Sequence, residues 1–267
     1  MVIVQILFGF LLGALIGLLA WRVRALSISG AWAATIIGGF IFGLGGLSWA
    51  VLLLTFFISS SGLSRAFSRY KANLGDKFAK GVQRDWAQVF ANGGIGALLV
   101  IMNAFYPDQF WPWIAYAGAM ATVNADTWAT ELGVLSGKLP RLITTGQFVE
   151  CGTSGGVTFL GTLATLGGAV LIASVTALFS IQPMVFILVV VSLAGLSGSL
   201  LDSVLGATVQ AVFDCPHCST ETERYPLHSC GRLTVHKRGF VWLNNDLVNF
   251  ISSVFGAVMA VGLWKIG

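Results

Sequence analysis

Long apolar runs recur along the chain and are separated by shorter polar segments. A helix needs about 20 apolar residues to cross the hydrocarbon core of a bilayer, and the pattern predicts eight such helices. They cover residues 2–20, 28–42, 47–60, 87–106, 113–131, 156–179, 184–208 and 247–266. The second and third come from one apolar stretch, which we divide near Gly45 because glycines crowd it. Left undivided, this stretch would give seven spans.

The composition also indicates a membrane protein. Of the 267 residues, 56% are hydrophobic and only 10% are charged, whereas soluble domains carry about 25% charged residues. The mean hydropathy is +0.84. We therefore predict an all-α, polytopic transmembrane bundle that forms a single integral membrane domain, 1–267. Arg22 and Arg24 follow the first apolar run, whereas a signal peptide carries its charges in front, so we expect this span to be retained.

Positive charges fall on one side of the predicted membrane. All of the 15 Lys and Arg residues except Lys265 follow an odd-numbered span, and cytoplasmic loops are the ones enriched in Lys and Arg. We predict a multi-pass protein of a cell inner membrane or thylakoid-type membrane, with both termini outside. Its main cytoplasmic loops are a basic loop, 61–86, and a Cys/His loop, 213–238. The net charge of +4 follows from this bias and does not indicate nucleic-acid binding.

Four acidic residues lie in or beside the predicted spans, where a carboxylate is costly. At 1.5 Å per residue, Asp126 lies about 20 Å and Asp202 about 27 Å inward from the outer interface. Asp246 opens the last span, so these three share the cytoplasmic half of the bilayer. Oxygen ligands without a thiol or imidazole suit Mg²⁺, and we predict that Asp126 and Asp202 bind it. Glu131 should point away from Asp126, because five residues separate them on the helix.

Amides accompany these carboxylates. Asn245, Asp246 and Asn249 share one face of the last helix, since residues three and four apart are neighbours. The simpler alternative is that such groups only join helices through hydrogen bonds or cap helix ends. That alternative is favoured for Asn249 or Ser199 taken by itself, and Asp246 could equally be the N-cap of the last helix.

Two segments have features of phosphate binding. Lys80 and Arg84 lead into a span that carries Gln88 and Asn92, and cations stabilise a phosphoryl group during transfer. The alternative is an ordinary positive-inside loop that binds anionic lipid. The second segment, 152–156, reads Gly-Thr-Ser-Gly-Gly and immediately precedes the sixth span. A glycine-rich turn at a helix N-terminus can bind phosphate, although this one is not a Walker A sequence.

Cys215, Cys218, His228 and Cys230 lie in the loop between the last two spans. Two thiols in Cys-x₂-Cys spacing, with a further Cys and His, form an adequate set of ligands for a four-coordinate structural zinc ion. The reducing cytoplasm disfavours disulfides there. We predict a zinc-stabilised loop rather than a catalytic metal.

Four segments occur in an order typical of a known family. They are Lys80-Gly81 with Arg84, Gln88-Val89 and Ala91-Asn92-Gly93; Asn124-Ala125-Asp126-Thr127-Trp128-Ala129-Thr130-Glu131; Gly152-Thr153-Ser154-Gly155-Gly156-Val157; and Asn245-Asp246 with Val248-Asn249. The chain resembles, over about residues 5–265, the integral membrane family called domain of unknown function 92. This family includes the plastid and cyanobacterial phytyl-phosphate kinases and is related to phytol and dolichol kinases. Residues 124–131 are the most specific part of the resemblance.

The resemblance implies phosphoryl transfer from a nucleoside triphosphate, CTP or another, to a prenyl monophosphate. Phytyl phosphate is the first candidate and geranylgeranyl phosphate the second. The expected partners are this lipid, the nucleotide and the bilayer, and no oligomeric state is predicted. We assign catalytic roles to Asp126, Asp202, Lys80 and Arg84. Substrate and phosphate binding is assigned to Asn92, Asn124, Thr127, Glu131, Gly152, Thr153, Ser154, Gly155, Asn245, Asp246 and Asn249.

Other functions would use the same groups differently. A lipid-phosphate nucleotidyltransferase would release pyrophosphate instead of a nucleoside diphosphate. An ion-coupled transporter would use the buried acids as ion sites, but such proteins often have inverted repeats and sites near the bilayer midplane. Here the acids lie toward one face, and the sequence has no evident repeat. A scaffold would tolerate replacement of the acids.

Overall fold

The computed structural model describes residues 2–68, 77–81 and 83–267. Within them, the helices are α1 (Val2–Arg22), α2 (Ile28–Ala66), α3 (Trp86–Phe105), α4 (Trp111–Gly133), α5 (Phe159–Leu178), α6 (Met184–Thr208) and α7 (Asn245–Ile266). The strands are β1 (Arg141–Leu142), β2 (Gly156–Val157), β3 (Val212–Cys215), β4 (Thr220–Thr222) and β5 (Val235–Arg238). The fold is therefore a helical bundle, as predicted, with two small antiparallel sheets, β1-β2 and β4-β3-β5. The predicted basic loop, 61–86, lies partly outside the described residues.

Helix α2 folds back on itself at Gly46. This glycine has φ +72° and ψ −158°, which interrupts the helix. A straight helix of 39 residues would be about 58 Å long. Yet Arg65, near the end of α2, donates a hydrogen bond of 3.1 Å to the carbonyl of Val23, which precedes its start. The two arms therefore run in opposite directions, in agreement with the predicted division near Gly45.

The later helices also alternate in direction, so their polar ends meet at one end of the bundle. Gly133 at the end of α4 packs against Gly161 near the start of α5. Ala211, after α6, donates a backbone hydrogen bond of 2.8 Å to Leu243, before α7. We call this the basic end, since α1 ends and α3 begins there among the cationic loops. Lys265 lies at the opposite end, close to the end of α7.

Helix α4 is the buried centre of the bundle. Its residues from Pro112 to Ala125 are all buried, and it contacts α2, α3, α5, α6 and α7. In the described part of the chain, the other 6 helices are long and apolar enough to cross a membrane. Polar residues such as Asn124, Asp126 and Glu131 make α4 less apolar than these. The predicted span at 113–131 is thus a helix that its neighbours shield from lipid.

The sixth predicted helix begins later than its sequence indicates. The expected start at Gly156 is wrong, because Gly156 and Val157 pair with β1 in an antiparallel ladder. Helix α5 begins instead at Phe159, where the Thr158 side chain accepts a hydrogen bond of 3.0 Å from the N–H of Gly161. Pairing with a segment distant in sequence keeps the two preceding residues extended.

Replacement of Gly46 by alanine should destabilise the protein by about 1–3 kcal/mol, because this region of φ and ψ is essentially restricted to glycine. The added methyl group would meet little crowding, since its nearest contact is Gln5 Nε2 at 3.9 Å. The matched control is Gly62→Ala, in the second arm of α2, where a methyl group meets nothing within 4 Å. This control should be neutral or stabilising. Thermal unfolding in detergent measures both variants, and equal melting temperatures would contradict the turn at Gly46.

Candidate active site

Three helices approach one another closely around Thr122 of α4. A methyl group added to Gly198 of α6 would lie 2.2 Å from Thr122 Oγ1, and one added to Gly256 of α7 would lie 2.0 Å from the same atom. Contacts this short are not tolerated between a Cβ and a buried side chain, so glycine is required on both sides. This contact fixes the positions of α4, α6 and α7 relative to one another along the axis of the bundle.

Asp126, Asp202 and Ser252 lie one helical turn from this contact, all toward the basic end. Each is four residues from the contact residue of its own helix. Asp126 is within electrostatic range of Asp202, and Ser252 faces the same carboxylate. The two carboxylates that the sequence places at a similar depth are thus neighbours on facing helices.

Buried oxygen atoms near this level have no hydrogen-bond partner among the described residues. They are Asp202 Oδ2 and Asn249 Oδ1. A buried polar atom without a partner is costly, and oxygen atoms grouped in this way are the ligands that a hard divalent cation requires. Asp126, half-buried on α4, adds a further carboxylate. The residues therefore fit the predicted Mg²⁺ site.

Lys80 links the start of α3 to the start of α7. Its Nζ lies 2.9 Å from a carboxylate oxygen of Asp85 and forms a second ion pair with Asp246. Asp85 is the N-cap of α3 and accepts a hydrogen bond of 3.0 Å from the N–H of Gln88. Burial acts to raise the pKa of Asp85, but the bonds from Gln88 and Lys80 outweigh it and lower that pKa. The cation predicted to bind phosphate is therefore held between two carboxylates.

Asp246 is not the N-cap of the last helix, so that alternative is wrong. Asn244 has this role, since its side chain accepts a hydrogen bond of 3.0 Å from the N–H of Leu247. Asp246 lies in the first turn of α7 and is free to pair with Lys80. Asn245, the first residue of α7, is half-buried beside it.

Glu223 enters the site from the Cys/His loop, and the sequence pattern did not reveal it. It lies within electrostatic range of Asp202 and Asp246, and its Oε1 accepts a hydrogen bond of 2.7 Å from Gln210 Nε2. Burial raises the pKa of Glu223 to about 7, although the bond from Gln210 acts in the other direction. The sequence signal was weak because Glu223 lies in a loop, where carboxylates are common.

Arg84 and Glu131 form a second polar group, between α2, α3 and α4. Glu131 is buried, and its Oε1 accepts a hydrogen bond of 2.7 Å from Ser64 Oγ of α2. Burial lowers the pKa of Arg84 to about 10, and the charge of Glu131 opposes this shift. Arg84 therefore stays cationic at neutral pH. Asn92 lines a cavity beside Arg84. As predicted, Glu131 points away from Asp126, because it faces α2 rather than α6.

Asn124 joins α4 to two neighbouring helices through hydrogen bonds. It is fully buried, donates a hydrogen bond of 2.8 Å to the carbonyl of Gly168 on α5, and accepts one of 2.9 Å from Ser59 Oγ on α2. Thr127 Oγ1 donates within α4 to the carbonyl of Val123, at 2.9 Å. These contacts give both residues a structural role, and the phosphate-binding roles predicted for Asn124 and Thr127 stay predictions.

The glycine-rich loop, 152–156, packs against the end of α6 at the basic end. Gly152 and Gly155 have φ values of +82° and +81°, a conformation that favours glycine. A methyl group on Gly155 would lie 2.5 Å from the backbone nitrogen of Ala207. Arg238 donates a hydrogen bond of 3.4 Å to the carbonyl of Ser154. The loop is thus a packed turn that does not lead directly into α5, and its binding of phosphate stays a prediction.

Cys215, Cys218, His228 and Cys230 come together at the sheet of β3, β4 and β5. One ligand atom from each lies within 4.8 Å of the others. Cys215 Sγ and Cys230 Sγ are 3.6 Å apart, and His228 Nδ1 is 3.3 Å from Cys230 Sγ. Tetrahedral zinc, with bonds of about 2.3 Å to sulfur, needs sulfur atoms about 3.7 Å apart. The donor set therefore fits the predicted structural zinc ion.

The chain has helices long and apolar enough to cross a membrane, a polar central helix, and carboxylates at one end of the bundle. These features define a class of polytopic membrane proteins. The chain belongs to the family of integral membrane proteins described as DUF92, whose model matches residues 11–257. The match covers the bundle from within α1 to within α7, together with the Cys/His loop. The family resemblance seen in the sequence is confirmed.

Relatives from several kinds of organism align along nearly all of the chain. Protein PGR of Arabidopsis thaliana is 33% identical over 272 aligned positions, gaps included. The match covers 93% of this chain and 92% of that protein. An uncharacterized membrane protein of Methanocaldococcus jannaschii is 30% identical and covers 97% of this chain and 94% of its own length. Protein VTE6, chloroplastic, of Arabidopsis thaliana is 26% identical over 90% of this chain and 65% of its own length. No solved structure matches the chain.

Protein purified under reducing conditions should contain about one equivalent of zinc, as a four-ligand site binds one ion. Cys215→Ser should lose this zinc, because it removes a buried ligand of the cluster. Cys151→Ser is the matched control and should keep it, since Cys151 lies outside the cluster. Elemental analysis measures the metal content. Absence of zinc from the freshly reduced parent protein would contradict the assignment.

Glu223 should make the free energy of unfolding decrease as the pH rises. Its pKa is about 7 in the folded protein against an ordinary value of 4.5. Between these values the folded protein binds more protons than the unfolded chain, so stability decreases with rising pH. Glu223→Gln cannot ionise and should remove this part of the slope. The melting temperature of the parent minus that of the variant should fall from pH 5 to pH 8. A difference in melting temperature that does not change with pH would contradict the raised pKa of Glu223.

Proposed function

We propose that this protein is a membrane-embedded kinase that transfers the terminal phosphoryl group of a nucleoside triphosphate to a prenyl monophosphate. Phytyl phosphate and geranylgeranyl phosphate are the proposed acceptors. The family supports this proposal, because its resemblance to the phytyl-phosphate kinases implies such a reaction, and the chloroplast protein VTE6 is among its relatives. Protein PGR and the archaeal relative, which are more similar to this chain, carry names that state no activity. The main support for the proposal is therefore the geometry of the site.

The observation that carries the proposal is the group of oxygen atoms between α4, α6 and α7. Asp126 and Asp202 are neighbours, and the buried atoms Asp202 Oδ2 and Asn249 Oδ1 have no hydrogen-bond partner among the described residues. Asp126, Asp202 and Asn249 would hold Mg²⁺. The bound ion would neutralise charge on the nucleotide phosphates. A purely structural cluster would be expected to satisfy its own buried polar atoms.

The proposed reaction needs no general base. An oxygen of the prenyl phosphate dianion attacks the terminal phosphorus of the nucleotide and forms a new P–O bond. The bond from that phosphorus to the bridging oxygen breaks, and the nucleoside diphosphate leaves with the electron pair. Charge is conserved without gain or loss of a proton. Positioning and neutralisation of charge therefore supply most of the rate acceleration.

Lys80 and Arg84 have different roles in this proposal. Lys80 pairs with Asp85 and Asp246 and is about one-third exposed at its side chain, at 29%. It can therefore turn toward a nucleotide phosphate while Asp246 remains close. Arg84 lies over the Phe56 ring and near Ser61, and it would bind the phosphate of the lipid.

The site would face the cytoplasm, because the cationic loops lie at the same end and such loops are retained on that side. This placement gives the site access to soluble nucleotide. It also puts the acceptor phosphate at headgroup level while the prenyl chain stays in the bilayer. A transporter site would be expected near the midplane instead.

Asp126→Asn and Asp202→Asn should each lower the turnover number at least about 100-fold, because each removes a ligand of the Mg²⁺ that would neutralise the transferring phosphoryl group. The assay uses protein in detergent with Mg²⁺, a nucleoside triphosphate and phytyl phosphate, and mass spectrometry identifies the products. Asp108→Asn is the matched control. It makes the same change in the exposed connection between α3 and α4, at the opposite end of the bundle, and should keep full activity.

The reaction products distinguish a kinase from a nucleotidyltransferase, and the folded state of each variant shows whether lost activity reports on chemistry. Prenyl diphosphate with a nucleoside diphosphate supports the kinase, whereas pyrophosphate with a nucleotide-linked lipid would identify a nucleotidyltransferase. Full activity in both aspartate variants would remove the metal assignment. The melting temperature of each variant must stay near that of the parent, so that lost activity reports on chemistry and not on unfolding.

A further inference from the structure

A cavity of about 70 Å³ lies beside Arg84, between α1, the two arms of α2 and α3. Its walls are almost entirely apolar and include Ile16, Ile37, Phe42 and Leu53. Small residues from two helices widen it, namely Gly13 of α1 and Ala34 and Gly38 of α2. The fold-back of α2 at Gly46 creates this space, because it brings the second arm alongside the first.

The polar residues in the cavity wall all come from the start of α3 or just before it. They are Arg84, Gln88 and Asn92. The Arg84 guanidinium lies over the ring of Phe56, 5.4 Å from its centre, and donates a long hydrogen bond of 3.5 Å to Ser61 Oγ. Arginine has five N–H donors, so this single side-chain bond among the described residues leaves donors for an anion. The cavity thus has apolar walls and a cation at its margin, and this cation is also within electrostatic range of the buried Glu131 carboxylate.

A polar path connects this cavity to the carboxylates. Asp85, the residue after Arg84, caps α3 and pairs with Lys80, and Lys80 pairs in turn with Asp246 of α7. Asp246 precedes Asn249 by three residues, so the two share a helix face. Lys80 thus joins the residue next to Arg84 to the first turn of α7, on the helix face that carries Asn249.

We propose that this cavity binds the first isoprene unit of the acceptor lipid, with the lipid's phosphate at Arg84. This inference rests on the proposed function and extends it to the mode of substrate binding. In a lipid phosphate, the anionic head would meet Arg84 at the margin of the cavity, and the apolar tail would enter the apolar cavity. Binding of the amphiphile by both parts also explains why Arg84 borders an apolar cavity.

The size of the cavity limits what it recognises. A cavity of about 70 Å³ has room for about five water-sized groups, which is comparable to the five carbon atoms of one isoprene unit. The remainder of the tail must leave between the helices into lipid. The cavity should therefore require a prenyl phosphate but discriminate weakly between long prenyl chains, which have similar first units.

Photolabelling tests this site directly. Geranylgeranyl phosphate with a photoreactive group on its first isoprene unit should label the cavity residues in segments 34–42, 53–57 and 88–93. Unlabelled geranylgeranyl phosphate should compete at least about 10-fold better than geranylgeraniol, which lacks the charge, or phosphatidylglycerol, which lacks the isoprene unit. Equal competition by phosphatidylglycerol would mean that bulk lipid fills the cavity. Labelling confined to α5 or α6 would place the tail elsewhere. Either result would overturn the proposal.

A matched pair of variants separates filling of the cavity from a general effect on the bundle. Ala34→Leu puts a larger side chain into the cavity wall and should reduce labelling at least about 10-fold. It should also raise the KM for the lipid more than it lowers kcat. Ala14→Leu makes the same change on the exposed face of α1, next to Gly13, and should alter neither. Unchanged labelling of a folded Ala34→Leu variant would contradict the proposal.

Labelling needs neither nucleotide nor metal, so the two proposals can fail separately. Specific labelling without any diphosphate product would preserve the lipid site and refute the kinase. Diphosphate product with no labelling in the cavity would preserve the kinase and refute this binding mode.

Discussion

The close approach of α6 and α7 to Thr122 of α4 is the constraint on which the site depends. Glycine at positions 198 and 256 leaves no side chain between these helices, and Thr122 Oγ1 occupies the space. The next turn toward the basic end then carries Asp126, Asp202 and Ser252 on facing helices. A larger residue at either glycine would separate the helices and move these polar groups apart. Because Asp202 and Ser252 are buried between helices, helix packing sets their placement.

The bundle has two polar groups with different surroundings, and Lys80 joins them. Around Arg84 the walls are apolar and the polar residues are few, which suits the head and first part of a lipid. Around Asp202 the groups are carboxylates, amides and hydroxyls, which suit a cation and phosphates. The Cys/His loop contributes Glu223 to this second group. The predicted zinc ion would thus help to position a carboxylate of the site, in addition to stabilising the loop.

Much of the bundle could be predicted from the sequence, because rise per residue and span length are local properties. Counting along each helix placed Asp126 and Asp202 at a similar depth, and crowded glycines predicted the reversal of α2 close to Gly46. Residues whose roles depend on distant partners could not be assigned in this way. Glu223 reaches the site through a loop with its own small sheet, and Gly156 is held extended by a strand 15 residues earlier. Asn124 looks like a ligand in the sequence, but its amide bonds to α2 and α5.

The central claim is that Asp126 and Asp202 jointly hold a divalent cation. Anomalous diffraction from crystals grown with Mn²⁺, which can replace Mg²⁺ at oxygen-rich sites, locates such an ion without any assumption about activity. We predict a peak between α4, α6 and α7, about 2.2 Å from carboxylate oxygens of both residues. A peak bound by only one of the two aspartates, or by Asp85 and Asp246 without them, would contradict the claim.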